Sequence, residues 1–235
     1  MRYLALAVDF DGTIAHDGVV DTSTREALGR VAGSGRRLLL VTGRELTELL
    51  AAFPQYKMFD RIVAENGALL YRPDTGETRV LAPEPPTQLV AELRERGVPL
   101  SVGRSILATV EPHEHAVLAA IRDLGLEWHV IFNKGSVMAL PSNVTKATGL
   151  TATLAELGIA PERVVGVGDA ENDHAFLRMC GVAVAVANAL PALKAAADLV
   201  TSGSRGAGVV ELIDRLISDD LAGVVPRPDH HGPIG

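Results

Sequence analysis

With 235 residues, 47% of them hydrophobic and 22% charged, the chain has an ordinary globular composition, with room for one large α/β domain or a core with a smaller insert. A formal net charge of −7 excludes the basic footprint that nucleic-acid binding requires. One cysteine, Cys180, excludes an internal disulfide, and no apolar run approaches the roughly 20 residues of a membrane helix. Met1 leads into a strand-like segment without a signal-peptide pattern, so the expectation is a cytoplasmic protein with neither nucleic-acid nor membrane partners.

Residues 4–8 form a short continuous apolar run, the pattern of a strand buried on both faces, and open into Asp9-Phe10-Asp11-Gly12-Thr13. Ser23 and Glu26 predict a capping box for a helix running to about Ala32. A second buried strand, 38–41, precedes Thr42-Gly43-Arg44 and a helix over 45–53 that stops before Pro54. Strand, helix, strand, helix is the rhythm of a doubly wound fold. Short strands are expected at 62–64, 68–71 and 79–81, the last two around an Asp74-Thr75-Gly76 turn. A Pro-rich stretch, 82–86, interrupts the pattern. It introduces a helix (87–96), a strand (106–110), a helix (114–124) and a hairpin (128–132, 137–140) turning at Asn133-Lys134-Gly135. Alternation then resumes with a helix at 146–157, a strand at 164–167, a helix at 173–180 and a strand at 182–186. A helix at 191–197, a short strand at 199–200 and a last helix near 209–217 follow. The expected organisation is an α/β, doubly wound parallel-sheet core of residues 1–82 and 142–220. A small α+β unit is inserted at 83–141, and a flexible tail at 221–235 carries His230 and His231.

Asp9 and Asp11 lie two apart at the mouth of the first strand, and an extended chain projects positions i and i+2 to one side. In open α/β sheets the ligand crevice lies at the carboxyl ends of the strands, where Asp9, Asp11, Thr42 and Asp169 all fall. Any one of these alone is better explained as a helix or turn cap; their joint placement points to chemistry. Asp169 and Asp173 frame Gly168-Asp169-Ala170-Glu171-Asn172-Asp173. Carboxylates crowded in this way repel unless a cation neutralises them. Mg²⁺ suits oxygen ligands shared with a substrate phosphate, and no Cys/His cluster favours a transition metal. The hydroxyl of Thr42 and the N–H groups at the following helix start can hold phosphate oxygens. Lys146 opens a helix, where an ammonium is electrostatically misplaced unless it reaches a phosphate or a carboxylate.

In this order, Asp9-Phe10-Asp11-Gly12-Thr13, Val41-Thr42-Gly43-Arg44, Lys146 and Gly168-Asp169-Ala170-Glu171-Asn172-Asp173 resemble the four motifs of the haloacid dehalogenase-like (HAD) hydrolase superfamily, across about residues 3–215. Glu65-Asn66-Gly67-Ala68, Asn188-Ala189, Lys194 and the insert between motifs two and three are similar to the Cof-type (subclass IIB) phosphatases with an α/β cap. The insert has the size found in their sucrose-phosphatase and archaeal phosphoglycolate phosphatase members. The resemblance implies that Asp9 attacks phosphorus to form an aspartyl-phosphate and that Asp11 acts as acid and then base. It implies that Asp9, the Asp11 carbonyl, Asp169 and Asp173 hold Mg²⁺. Thr42, Gly43 and Lys146 would bind the phosphate, with Gly12, Arg44 and Asn172 in support. The implied substrate is a small phosphate ester, a sugar phosphate or phosphoglycolate-like. Phosphoryl transfer to a second hydroxyl and a non-catalytic phosphate-binding module stay open as alternatives. Arg104, His113, Asn133 and Lys134 are the insert's candidates for specificity. The sequence departs from the family pattern at Ala147, Phe176 and Arg205-Gly206-Ala207-Gly208, none of which removes a catalytic group.

Overall fold

The computed structural model describes residues 1–226. The first apolar runs become β1 (Ala5–Val8), β2 (Arg37–Val41) and β3 (Arg61–Ala64), separated by α1 (Thr22–Gly33) and α2 (Leu46–Ala52). β4 (Leu69–Arg72) and β5 (Glu77–Val80) follow as a hairpin, with Gly76 N–H donated to Arg72 O across its turn. After them come α3 (Thr87–Glu95), β6 (Ser101–Val102), β7 (Leu107–Val110), α4 (Glu114–Asp123), β8 (Trp128–Asn133) and β9 (Ser136–Pro141). The chain continues through α5 (Lys146–Leu157), β10 (Val164–Gly168), α6 (His174–Met179), β11 (Val182–Ala185), α7 (Pro191–Ala196), β12 (Leu199–Val200) and α8 (Arg205–Asp219).

Eight strands form one sheet in the order β12-β11-β10-β1-β2-β3-β4-β5, parallel from β12 to β3 and antiparallel thereafter. Every residue of β1 and β11 is buried, as a strand covered on both faces by helices requires. α1 packs on α8, and α5 packs on α6. The chain order reverses between β1 and β10, so the topological switch point lies at Asp9 and Asp169.

The second sheet, β6-β7-β9-β8, is antiparallel and comes wholly from the stretch between β5 and α5. Leu107, Val117, Ala120, Ile121 and Ala139 form an apolar cluster of its own with Leu89 and Leu93 of α3. A third cluster, Ala68, Ala82, Ile106, Met138 and Leu140, joins the two sheets.

Several local expectations change. The N-cap of α1 is Asp21, whose carboxylate accepts from Thr24 N–H at 2.7 Å, and Ser23 donates its hydroxyl to the same carboxylate instead of capping. The helix expected from 173 begins one residue later, after a 3₁₀ turn over Glu171–Asp173. α8 starts at Arg205, four residues early, because its glycines tolerate close contact: a Cβ at Gly206 would fall 2.1 Å from Thr24 Oγ1. The segment expected to be flexible from 221 begins docked. Leu221 is fully buried, and Asp220 accepts from the N–H groups of Arg2 and Tyr3 and from Arg36. Residues 227–235, with His230 and His231, lie outside the described residues.

Asp21→Ala should cost about 0.5–2 kcal/mol at pH 7, read by urea denaturation. Hydrogen bonds from Ser23 and Thr24 hold the Asp21 carboxyl below its usual value. The contribution is therefore present above the unfolded value near about 4, and the two proteins should converge as pH falls through the lower folded value.

Candidate active site

β1 ends at Val8, and Asp9, the next residue, is 3% exposed, with its N–H donated to Val167 O at 3.0 Å. The chain then turns at once, since Phe10 O accepts from Thr13, Ile14 and Ala15. Gly12 has φ +82°, and a Cβ there would fall 2.2 Å from Asp169 Oδ2, so glycine is what lets this loop pass beside the loop after β10. The extended geometry behind the same-side expectation for Asp9 and Asp11 stops at Val8. Asp9 joins two other buried carboxylates, while Asp11 turns to Arg44, whose Nε and Nη2 donate to it at 2.7 and 2.6 Å. Both aspartates still line one cavity.

Beneath Asp9, Lys146 opens α5, held by a capping box between Thr145 and Thr148. The lysine is fully buried, and its Nζ donates at 2.6 Å to Asp9 Oδ1 and at 2.6 Å to Asp173 Oδ1. Asp173 Oδ2 accepts from the N–H groups of Asp169 and Ala170 at 2.8 and 2.9 Å, which folds the loop after β10 around its own carboxylate. Thr13 donates to Asp169 Oδ1 at 3.1 Å. Asn188 donates to Gly12 O at 2.8 Å and accepts from Arg205 N–H at 2.7 Å, tying the first loop to the start of α8. Lys134, from the tip of the β8–β9 hairpin, also contacts Asp169 Oδ2.

Asp9, Asp169 and Asp173 each present a carboxylate oxygen, all within 4.8 Å of one another. Burial pushes the Asp9 carboxyl well above the usual range, Asp173 adds to this, and Lys146 opposes it. Burial raises Asp169 as well, against the hydrogen bond from Lys134. Desolvation alone would lower Lys146, but Asp173 and Asp9 outweigh it and keep the ammonium charged. Lys146 is shared by Asp9 and Asp173 while Lys134 meets Asp169, so three buried carboxylates face two ammonium groups, and a donor set of oxygens alone fits a hard divalent cation such as Mg²⁺.

The cavity above Asp9 measures about 490 Å³. Its walls come from both sheets: Asp11, Gly43 and Arg44 on one side, Asn133, Lys134 and Met138 on the other. Thr42, Lys146, Asp169, Asn172 and Asp173 lie outside this lining, as do Arg104 and His113 of the insert. Thr42 is buried and accepts from Arg44 N–H at 3.1 Å. α2 begins only at Leu46, so Thr42-Gly43-Arg44 forms a loop and not the first turn of a helix. Asn172 donates to Asn66 Oδ1 at 3.1 Å, linking the loop after β10 to the turn after β3. Thr13 carries no separate signal inside its motif, and the partners of Asn188 are loop groups distant in sequence.

A family model for the haloacid dehalogenase-like hydrolases matches residues 6–117 and 121–213. The chain belongs to that family. A phosphoglycolate phosphatase from Methanothermobacter thermautotrophicus is 33% identical over 222 residues, 91% of this chain and 98% of that protein. A phosphoglycolate phosphatase from Natronomonas pharaonis is 29% identical over 222 residues, 89% and 96% of the two chains. Among solved structures, a haloacid dehalogenase-like hydrolase from Bacteroides thetaiotaomicron superposes with a TM-score of 0.77 at 20% identity, covering 92% of this chain and 100% of that one. A HAD subclass IIB sugar phosphatase shares the fold with a TM-score of 0.75 at 21% identity, over 90% and 98% of the chains. The doubly wound sheet, with β4 and β5 added antiparallel at one end, is thus a fold shared with these solved structures.

Lys146→Met leaves Asp9 and Asp173 buried without their counter-ion and should destabilise the HAD-type protein by about 3–5 kcal/mol at pH 7. Asp9 has a raised folded value, so it takes up a proton as pH falls. Denaturant titrations at pH 7 and pH 5 should show the deficit shrinking at the lower pH.

Proposed function

We propose that the protein hydrolyses small phosphate monoesters by attack of Asp9 on phosphorus, with residues 83–141 acting as a cap over a core of 1–82 and 142–220. The observation that carries this reading is the meeting of Asp9, Asp169 and Asp173 above buried Lys146 at the switch point of the sheet. Lys146 engages Asp9 Oδ1, which leaves Oδ2 for the nucleophile. As the bond from Asp9 Oδ2 to phosphorus forms, the bond to the leaving oxygen breaks, and Asp11, freed from Arg44 and entering the step as the neutral acid, gives its proton to that oxygen. Asp11 then takes a proton from water, which attacks phosphorus and releases phosphate from Asp9. Arg44 holds both oxygens of the deprotonated Asp11 in its two-pronged contact, so the acid step requires that pair to open. The Thr42-Gly43-Arg44 loop and the Lys146 ammonium stabilise the transferring oxygens, and Gly12 and Asn172 keep the two loops in register.

Mg²⁺ would be held by Asp9, Asp169, Asp173 and the backbone carbonyl of Asp11, and when bound it would neutralise the charge of the carboxylates and phosphate. The names of the relatives support a substrate that is phosphoglycolate-like or a sugar phosphate. Asn133 and Lys134, at the cap hairpin, line the cavity, which supports a role for them in contacting the leaving group.

Phosphate release from p-nitrophenyl phosphate and from a panel of phosphorylated metabolites should require Mg²⁺ and stop on chelation. Asp9→Asn should fall to background, and Asp11→Asn should lose about 10²–10⁴-fold in kcat. Turnover retained by Asp9→Asn would remove the covalent role.

A further inference from the structure

The turn after β3 sits where four parts of the molecule meet. Glu65, Asn66 and Gly67 have φ of 48°, 55° and 109°, three left-handed residues in succession, two of them bearing side chains. Such backbone persists only where its surroundings over-determine it. Glu65 N–H is donated to Arg44 O at 2.9 Å and Asn66 N–H to Thr42 O at 3.0 Å, so the turn fixes the carbonyls of the loop assigned to the phosphate. Asn66 Oδ1 accepts from Asn172 of the loop after β10. A Cβ at Gly67 would fall 1.9 Å from Thr145 O, immediately before Lys146.

The fourth partner is the cap. The Glu65 carboxylate is 2% exposed and accepts from Arg104 N–H at 3.1 Å on one oxygen and from Ser105 N–H at 2.7 Å on the other. Ser105 in turn donates its hydroxyl to Ala82 O, in the segment between β5 and α3. Burial lifts the Glu65 carboxyl above its usual value, and the N–H bonds from Ser105 and Arg104 pull it back. A buried carboxylate with both oxygens committed to the cap costs heavily when those donors leave. Its own backbone is committed to the other side of the cavity.

We propose that Glu65 is a positioning residue that makes the geometry of the Thr42–Arg44 loop depend on the cap being seated. The inference rests on reading residues 83–141 as a cap over a phosphate site. Moving the cap, and with it Arg104 and Ser105, away from Glu65 releases the carboxylate, and the strained turn relaxes together with the two loop carbonyls it holds. A residue that merely anchors the cap would leave those carbonyls in place.

Glu65→Gln keeps the size of the side chain but sets an amide N–H₂ against one of the cap donors. Amide exchange on the full chain should quicken by about tenfold or more at Glu65 and Asn66 as well as at Arg104 and Ser105. With saturating Mg²⁺, kcat on p-nitrophenyl phosphate should fall about 10–100-fold. Arg104→Pro removes one donor from the cap side, so faster exchange at Glu65, Asn66 and Ser105 should appear in a variant whose core is untouched. Faster exchange confined to residues 104 and 105, or a lowered melting temperature with unchanged kcat and unchanged exchange at 65 and 66, would overturn the proposal. Should the wild-type protein release no phosphate from any ester, the phosphatase reading falls. The exchange pattern then decides the coupling by itself.

Discussion

One buried ammonium organises this molecule. Lys146 has no exposed surface, and its two carboxylate partners come from the ends of β1 and from the loop after β10. Burying an ion costs several kcal/mol, and attraction to well-placed partners repays it only with good geometry. The chain meets that condition by building around the lysine: a capping box starts its helix, Asp173 spends its second oxygen on its own loop, and Asp9 follows directly on a fully buried strand. The result is a fixed cluster whose charge is unbalanced toward the negative, the condition that a divalent cation and a phosphate exploit together.

The sheet explains why these residues can meet at all. Parallel strands put their carboxyl ends on one edge, and the reversal between β1 and β10 opens a crevice there. Gly12 allows the two loops at that crevice to approach within contact, and Asn188 and Thr13 hold them together. The second sheet supplies the opposite wall of the cavity. Its hairpin tip reaches the same Asp169, and Met138 closes on Gly43.

Much of this was legible in the sequence, for identifiable reasons. The buried parallel strands read as unbroken apolar runs, and the helix opened by Lys146 matches residue for residue, because its capping residues and its αL Gly158 mark both ends. Asp9 and Asp169 could be placed at strand ends because each follows a buried apolar run, while the full ligand set was what the family resemblance implied. What the sequence hid depends on contacts between distant segments. Nothing local distinguishes Asp21 from Ser23 as a cap, and the two-residue strand β6 exists only through its pairing with β7. The turn of Asp11 toward Arg44 reflects the end of β1, not the pattern within it. Lys134 could be named as an insert residue, but its reach to Asp169 follows from how the hairpin packs on the turn at Glu171–Asp173.

The grip of Glu65 on the insert is made entirely to main-chain N–H groups. Such a clasp recognises the path of the polypeptide and is indifferent to which side chains it carries. Residues that line the cavity from the second sheet, among them Asn133 and Ser136, can therefore be exchanged for others without undoing this contact, provided the bend at Arg104 and Ser105 is kept. The lining of the cavity and the contact with the turn after β3 thus belong to separate parts of one small sheet, so the side chains of the first can vary while the backbone of the second is kept.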